Sequence, residues 1–360
     1  MNMSQRWKQE HELLRDFIAA HPEIVITANE VSIPQDLREE FYSRFDSVRR
    51  ALVEDHFPAL PVEIDGLCGK YRKVEREILE ILGLDAITVP VDLSTFLRNP
   101  KEGLTRVVYN TLFDFLQGKI SGGDFEAQTA GELAAAAADL YRLGYEQWAA
   151  LTVIRLLDPD EGFQVDFDEE YTPVATELKT IAFGRQAHHP TLRVPEFMFR
   201  SRKLNTYVAV KMPLIQELPT YVVTYRPPVR PRKKTGDTSS VLDSRALLLY
   251  FLPTRDDIPV VVDIYEGNRK SPDWMIEFMG AEELENPESL SQVQQGFEAL
   301  NPKAGTCLLV VGPTDEANLR KIPETIHAVA AGLDPSKLQS FVDGCLCAGG
   351  APDPSDETTA

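Results

Sequence analysis

Asp263 and Glu266 stand where an apolar run, residues 258–270 (IPVVVDIYEGNRK), leaves a strand for a loop, and Lys270 closes the same stretch. Clustered carboxylates hold a divalent cation such as Mg2+ or Mn2+, and a nearby lysine orients the attacking water; together they make metal-assisted phosphodiester cleavage. On that chemistry Asp263 and Glu266 are the metal ligands and Lys270 positions water. Glu177 and Lys179, in the text TPVATELKTIAF, place a second acid and lysine on one face of a strand.

A different chemistry is written in RPPVRPRKK, where Arg226, Arg230, Arg232, Lys233 and Lys234 are five cations with no acid among them and three prolines keep the backbone extended. Such a tract suits a phosphate backbone, and residues 184–203 form a second basic stretch. The formal net charge of −19 opposes both at long range. His188 and His189 precede Pro190 in an extended segment and read as loop residues, because the chain carries neither a HExxH helix nor a CxxC pair to complete a zinc site. Cys345 and Cys347 supply two thiols without further ligands, while Cys68 and Cys307 read as small core residues.

The order of four strands, a helix and a further strand beyond residue 171 is similar to the layout of PD-(D/E)XK nucleases, which gather their carboxylates at the ends of adjacent strands. That resemblance implies Mg2+ or Mn2+ as cofactor and Asp263, Glu266, Glu177, Lys179 and Lys270 as catalytic. The motif departs in detail: Tyr265 stands two places after Asp263, and Lys270 lies four beyond Glu266.

The elements that must position these groups follow from spacing. Leu37, Phe41, Phe45, Val48 and Leu52 recur at four, four, three and four, which predicts a helix to about Phe57. Pro61 opens the next helix, with Leu67, Tyr71, Val74, Ile78 and Leu82 on its stripe until Gly83. Asn99 and Pro100 start another, expected to run to about Gly118. From Glu132 to Leu157 two helices are expected to meet at Leu143 and Gly144; the text ADLYRLGYEQWAALTVIRLLDP resembles half of a tetratricopeptide repeat, but no second copy recurs at a fixed period.

Residues 158–170 hold seven carboxylates and read as a solvated linker. Beyond it the period changes to two. Strands are expected over 205–212, 219–226, 245–253 and 258–266, the last two forming a hairpin through Thr254–Asp257. Asn286 and Pro287 start a helix to Leu300, residues 306–311 form a buried strand leading toward Thr314, and Asp334 with Pro335 starts a last helix.

The fold class expected is α+β: an all-α N-terminal domain (1–157), the acidic linker (158–170), a mixed, largely antiparallel sheet domain covered by C-terminal helices (171–347), and a disordered tail (348–360). Neither a signal peptide nor a run of about 20 apolar residues is present, so a soluble cytoplasmic chain is expected. The leading expectation is an interaction or scaffold protein with a protein partner. The alternatives are the metal-dependent nuclease and a nucleic-acid-binding module without chemistry.

Overall fold

A computed structural model describes residues 6–185, 187–212, 246–263, 268–312, 314, 319–320, 322–324 and 326–348. Apolar spacing sets the first elements. In α1 (Arg6–Ala20) Trp7, Leu14 and Phe17 are buried on one stripe, and α1 packs along the helix that follows the short hairpin β1 (Val25–Ile26) and β2 (Val31–Ser32). That helix, α2 (Arg38–His56), buries Phe41, Phe45 and Val48, and Phe45 meets Phe113 at 4.5 Å between ring centroids. Both the expected stripe and the expected end near Phe57 are present. α3 (Val62–Leu82) stops at Gly83, whose φ of +64° is left-handed backbone that glycine adopts without strain. β3 (Ala86–Thr88) and α4 (Val91–Arg98) come next.

The helix expected from Asn99 to Gly118 is two helices, α5 (Pro100–Thr105) and α6 (Tyr109–Leu116). Its start is as read: the Asn99 side chain accepts from the Glu102 N–H at 3.4 Å, with Pro100 in the first turn. The break follows from Thr105, whose hydroxyl back-bonds to the Glu102 carbonyl at 2.8 Å, and from the β-branched Val107 and Val108, around which the turns tighten to three-residue hydrogen bonds.

The hinge expected at Leu143–Gly144 does not occur, because α7 (Gly122–Leu156) runs through it as one helix of 35 residues. Gly144 serves packing: a Cβ there would lie 3.0 Å from side-chain carbons of Leu67 and Leu97. A turn signal and a close-contact signal are the same letter.

Residues 158–170, expected as a linker, begin with β4 (Pro159–Phe167), a strand in the main sheet. Phe163, Val165 and Phe167 alternate with Gln164 and Asp166, so one face packs on the core while Asp166 lies on the other. The carboxylate count hid a half-buried strand. β5 (Pro173–Glu177), β6 (Thr180–Ala182), β7 (Leu192–Arg193), β8 (Phe197–Ser201), β9 (Thr206–Lys211) and β10 (Leu247–Leu252) follow. β11 (Val262–Asp263), β12 (Asn268–Arg269), β13 (Trp274–Gly280), β14 (Gly305–Val311) and β15 (Ala328–Val329) complete the described strands.

The main sheet has eight strands in the order β15-β14-β13-β10-β9-β8-β4-β5. Pairing is antiparallel from β5 to β13 and parallel from β13 through β15, so the sheet is mixed and the chain is α+β as expected. Between β13 and β14 the crossover is α8 (Pro287–Leu300), capped by the Asn286 side chain on the Glu288 N–H at 3.0 Å. Met275 and Met279 share a core with Leu290 and Phe297 of α8, whereas Trp274, one residue out of phase, meets Phe341 of α9 (Pro335–Ala348). The two helices therefore cover opposite faces of β13.

The expected hairpin of 245–253 with 258–266 is also corrected. The Thr254–Asp257 turn is present, closed by the Thr254 hydroxyl on Asp257 at 2.7 Å, but β10 pairs with β9 and β13. β11 instead pairs with β7 and β12 in a separate three-stranded sheet, and Val261 donates to the Arg193 carbonyl at 2.7 Å. Pro259 has no N–H to give to a ladder, which disfavours continuing along β10. The expected strand at 219–226 lies outside the described residues, as does the tail from residue 349; Ala348 ends α9.

The described chain divides into two units, residues 6–69 with 91–144, and residues 70–90 with 145–212 and 246–348. The division falls inside α3 and α7.

Candidate functional site

Among the residues singled out for chemistry, Glu177 ends β5 and faces Lys179 at 3.7 Å, with side chains 80 % and 67 % exposed. Asp263 sits on β11, in the other sheet, opposite Asn268 and Leu192. Lys270 is exposed, and its backbone N–H donates to the Val261 carbonyl at 3.0 Å. Glu177 and Asp263 are thus on separate sheets, and among the described residues no group of three or more His, Cys, Asp or Glu is placed to hold a metal ion. Glu266 lies outside the described residues, and so do Arg226, Arg230, Arg232, Lys233 and Lys234. Cys345 and Cys347 belong to α9, with side chains likewise outside.

His189 closes a turn. Its Nδ1 accepts from the Leu192 and Thr191 N–H groups at 2.8 and 3.1 Å, and its ring lies against Phe167 and Tyr171. Trp148 and Trp274 are core residues, each 1 % exposed.

Three buried acids, Glu146 of α7, Glu196 and Glu277, escape sequence reading. Glu196 is held by Lys211 at 2.7 Å and by the Met212 N–H at 2.9 Å; burial raises its pKa, and the lysine acts against that rise. Tyr250 nearby is also raised by burial, with the charges of Glu196 and Asp273 adding to it. Glu277 lies on β13 between Met275 and Met279, on the face covered by α8. Burial pushes its pKa up to about 8, the Phe278 backbone opposes, and Glu283 adds to the rise. A carboxylate letter inside WMIEFMG was the available signal for Glu277.

Among the described residues, the β5 edge of the main sheet brings backbone and charged groups together at the surface. β4 and β5 form a hairpin turned at Asp168, whose carboxylate accepts from the Glu170 and Thr172 N–H groups at 2.9 and 2.8 Å. Register decides which backbone groups point where. Phe163 pairs with Glu177 and Val165 with Ala175; the Leu178 N–H donates inward to the Gly162 carbonyl, while Val165 directs its N–H the other way, to Glu196 of the segment preceding β8. Val174, Thr176 and Leu178 therefore bond toward β4, and Ala175 and Glu177 turn their N–H and C=O outward. Pro173, which has no N–H, falls in the outward set, where a sheet edge tolerates proline. Among the described residues β5 has no strand partner other than β4.

Beside that edge lies an open groove of about 420 Å3 lined by Glu161, Phe163, Ala175, Thr176, Glu177 and Arg255. The Arg255 guanidinium sits 5.5 Å from the Phe163 ring centroid. An open backbone ladder next to a groove with an aromatic floor and charged walls is equipped to hold an extended chain. Neither a known protein-family model, nor a curated protein, nor a solved structure matches this chain.

Proposed function

We propose that the chain is a soluble cytoplasmic interaction protein whose docking element is the outer edge of β5, on which a partner adds an extended segment as a further strand. The observation that carries the reading is the outward pair of N–H and C=O groups at Ala175 and at Glu177, with no strand against them among the described residues. Main-chain hydrogen bonds supply affinity in this mode, and pockets for alternate side chains supply selectivity. The groove at Glu161, Phe163 and Arg255 is placed to read one such side chain.

Two proline substitutions test this. Ala175→Pro removes an outward N–H and no bond to β4, whereas Thr176→Pro removes an inward one and is expected to cost about 3 kcal/mol of stability. Peptides with alternating β-branched and charged residues, one set cationic and one anionic, serve as probes. Ala175→Pro is expected to fold with a near-normal melting temperature and to lose peptide binding. Unchanged binding by that variant would contradict docking on this edge.

A further inference from the structure

We infer that the segment received by β5 is basic, an extended peptide with Lys or Arg at alternate positions; the inference rests on the docking role proposed above. Between Asp158 and Ala182 the chain carries eight carboxylates, Asp158, Asp160, Glu161, Asp166, Asp168, Glu169, Glu170 and Glu177, against the single cation Lys179. Asp158 is paired with Arg202 at 2.6 Å, Asp166 with Arg185 at 2.7 Å and Glu177, loosely and in solvent, with Lys179 at 3.7 Å. The other five leave the hairpin negative beside its open edge.

Geometry makes that charge selective. Phe163 and Glu177 are directly opposite, so their side chains share the face on which Glu161 and Arg255 line the groove. A residue of an added strand placed opposite Glu177 has its Cβ about 5 Å away, within reach of an ion pair. A lysine or arginine there meets the Glu177 carboxylate in place of the exposed Lys179 and enters the groove that Glu161 lines; an acidic residue meets repulsion from both carboxylates and has Arg255, drawn over the Phe163 ring, as its counter-charge there. The same charge argues against a second copy of this chain as the occupant, since edge-to-edge pairing would bring two acidic hairpins together. It argues equally against nucleic acid at this edge.

The experiment is fluorescence anisotropy with two labelled peptides of equal length, one alternating lysine with threonine and one alternating glutamate with threonine. It is run on the full chain, on Glu161→Gln/Glu177→Gln and on Ala175→Pro, at low and high salt. Glu161 and Glu177 are exposed, so their neutralisation leaves the core intact. The lysine peptide is expected to bind the full chain, to weaken about fivefold or more in the double variant and further with salt, and to be lost with Ala175→Pro. Equal binding of the glutamate peptide, or an unchanged double variant, would overturn the basic preference and leave the docking role standing. Binding of neither peptide would remove the docking role itself. Undiminished binding of the lysine peptide to Ala175→Pro would mean diffuse attraction and overturn both, and a dimer in sedimentation velocity that the peptide fails to dissociate would give the edge to a second copy.

Discussion

Glu277 is a carboxyl kept among Met275, Met279 and the apolar face of α8, and it carries a pH signature. Its pKa is about 8 in the fold against 4.5 as a reference side chain, so the folded state holds a proton that the unfolded state releases between those values. Its stabilising contribution is complete below about pH 4.5 and is lost as pH rises through about 8. Glu277→Gln is isosteric and does not titrate. Urea unfolding across that window should show the variant with a flatter profile and a gain of up to roughly 3 kcal/mol near neutral pH. Parallel profiles for the two proteins would show that Glu277 does not titrate there. The Glu196–Lys211 pair behaves oppositely, since Lys211→Met leaves a buried acid without its cation. A loss of about 3–5 kcal/mol is expected at neutral pH, recovering in acid as Glu196 takes up a proton; a loss that ignores pH would assign the effect to packing alone.

At the scale of elements, three glycines separate conformational from packing roles. A Cβ on Gly103 would sit 2.6 Å from the Phe96 Cα, a backbone atom that has to move, so Gly103→Ala is expected to destabilise by about 2 kcal/mol or more. Gly69, inside α3, has nothing within 4 Å of that position, and Gly69→Ala should stabilise by about 0.5–1 kcal/mol. Thermal melts of the two variants should move in opposite directions. The caps at Asn99 and Asn286 were legible in the sequence because an asparagine side chain, the following proline and the nearby acid act within one turn. Gly144 misled because a residue that lets Leu67 and Leu97 approach looks like one that turns the chain. β4 was hidden because its three acids, Asp160, Glu161 and Asp166, equal its large apolar residues in number and four more carboxylates flank it, although Phe163, Val165 and Phe167 keep strand alternation. The partners of β10 and β11 are far apart in sequence, and no local pattern states them. Glu177 was visible as a charge at strand spacing, but its place on a sheet edge depends on β4 being a strand at all.

For the whole molecule, an acidic chain with a mixed eight-stranded sheet carries one negative hairpin whose outer strand has no further strand partner among the described residues. No described helix is long and apolar enough to cross a membrane. The proposed interaction role rests on the edge, and the proposed basic preference rests on Glu161, Glu177 and the surrounding carboxylates. Site-resolved amide hydrogen exchange addresses this most directly. In the chain alone, Thr176 and Leu178 should be protected while Ala175 and Glu177 exchange rapidly, and addition of the lysine–threonine peptide should slow those two amides selectively. Protection of Ala175 and Glu177 before any peptide is added would mean that the edge is already covered, and the account would be contradicted.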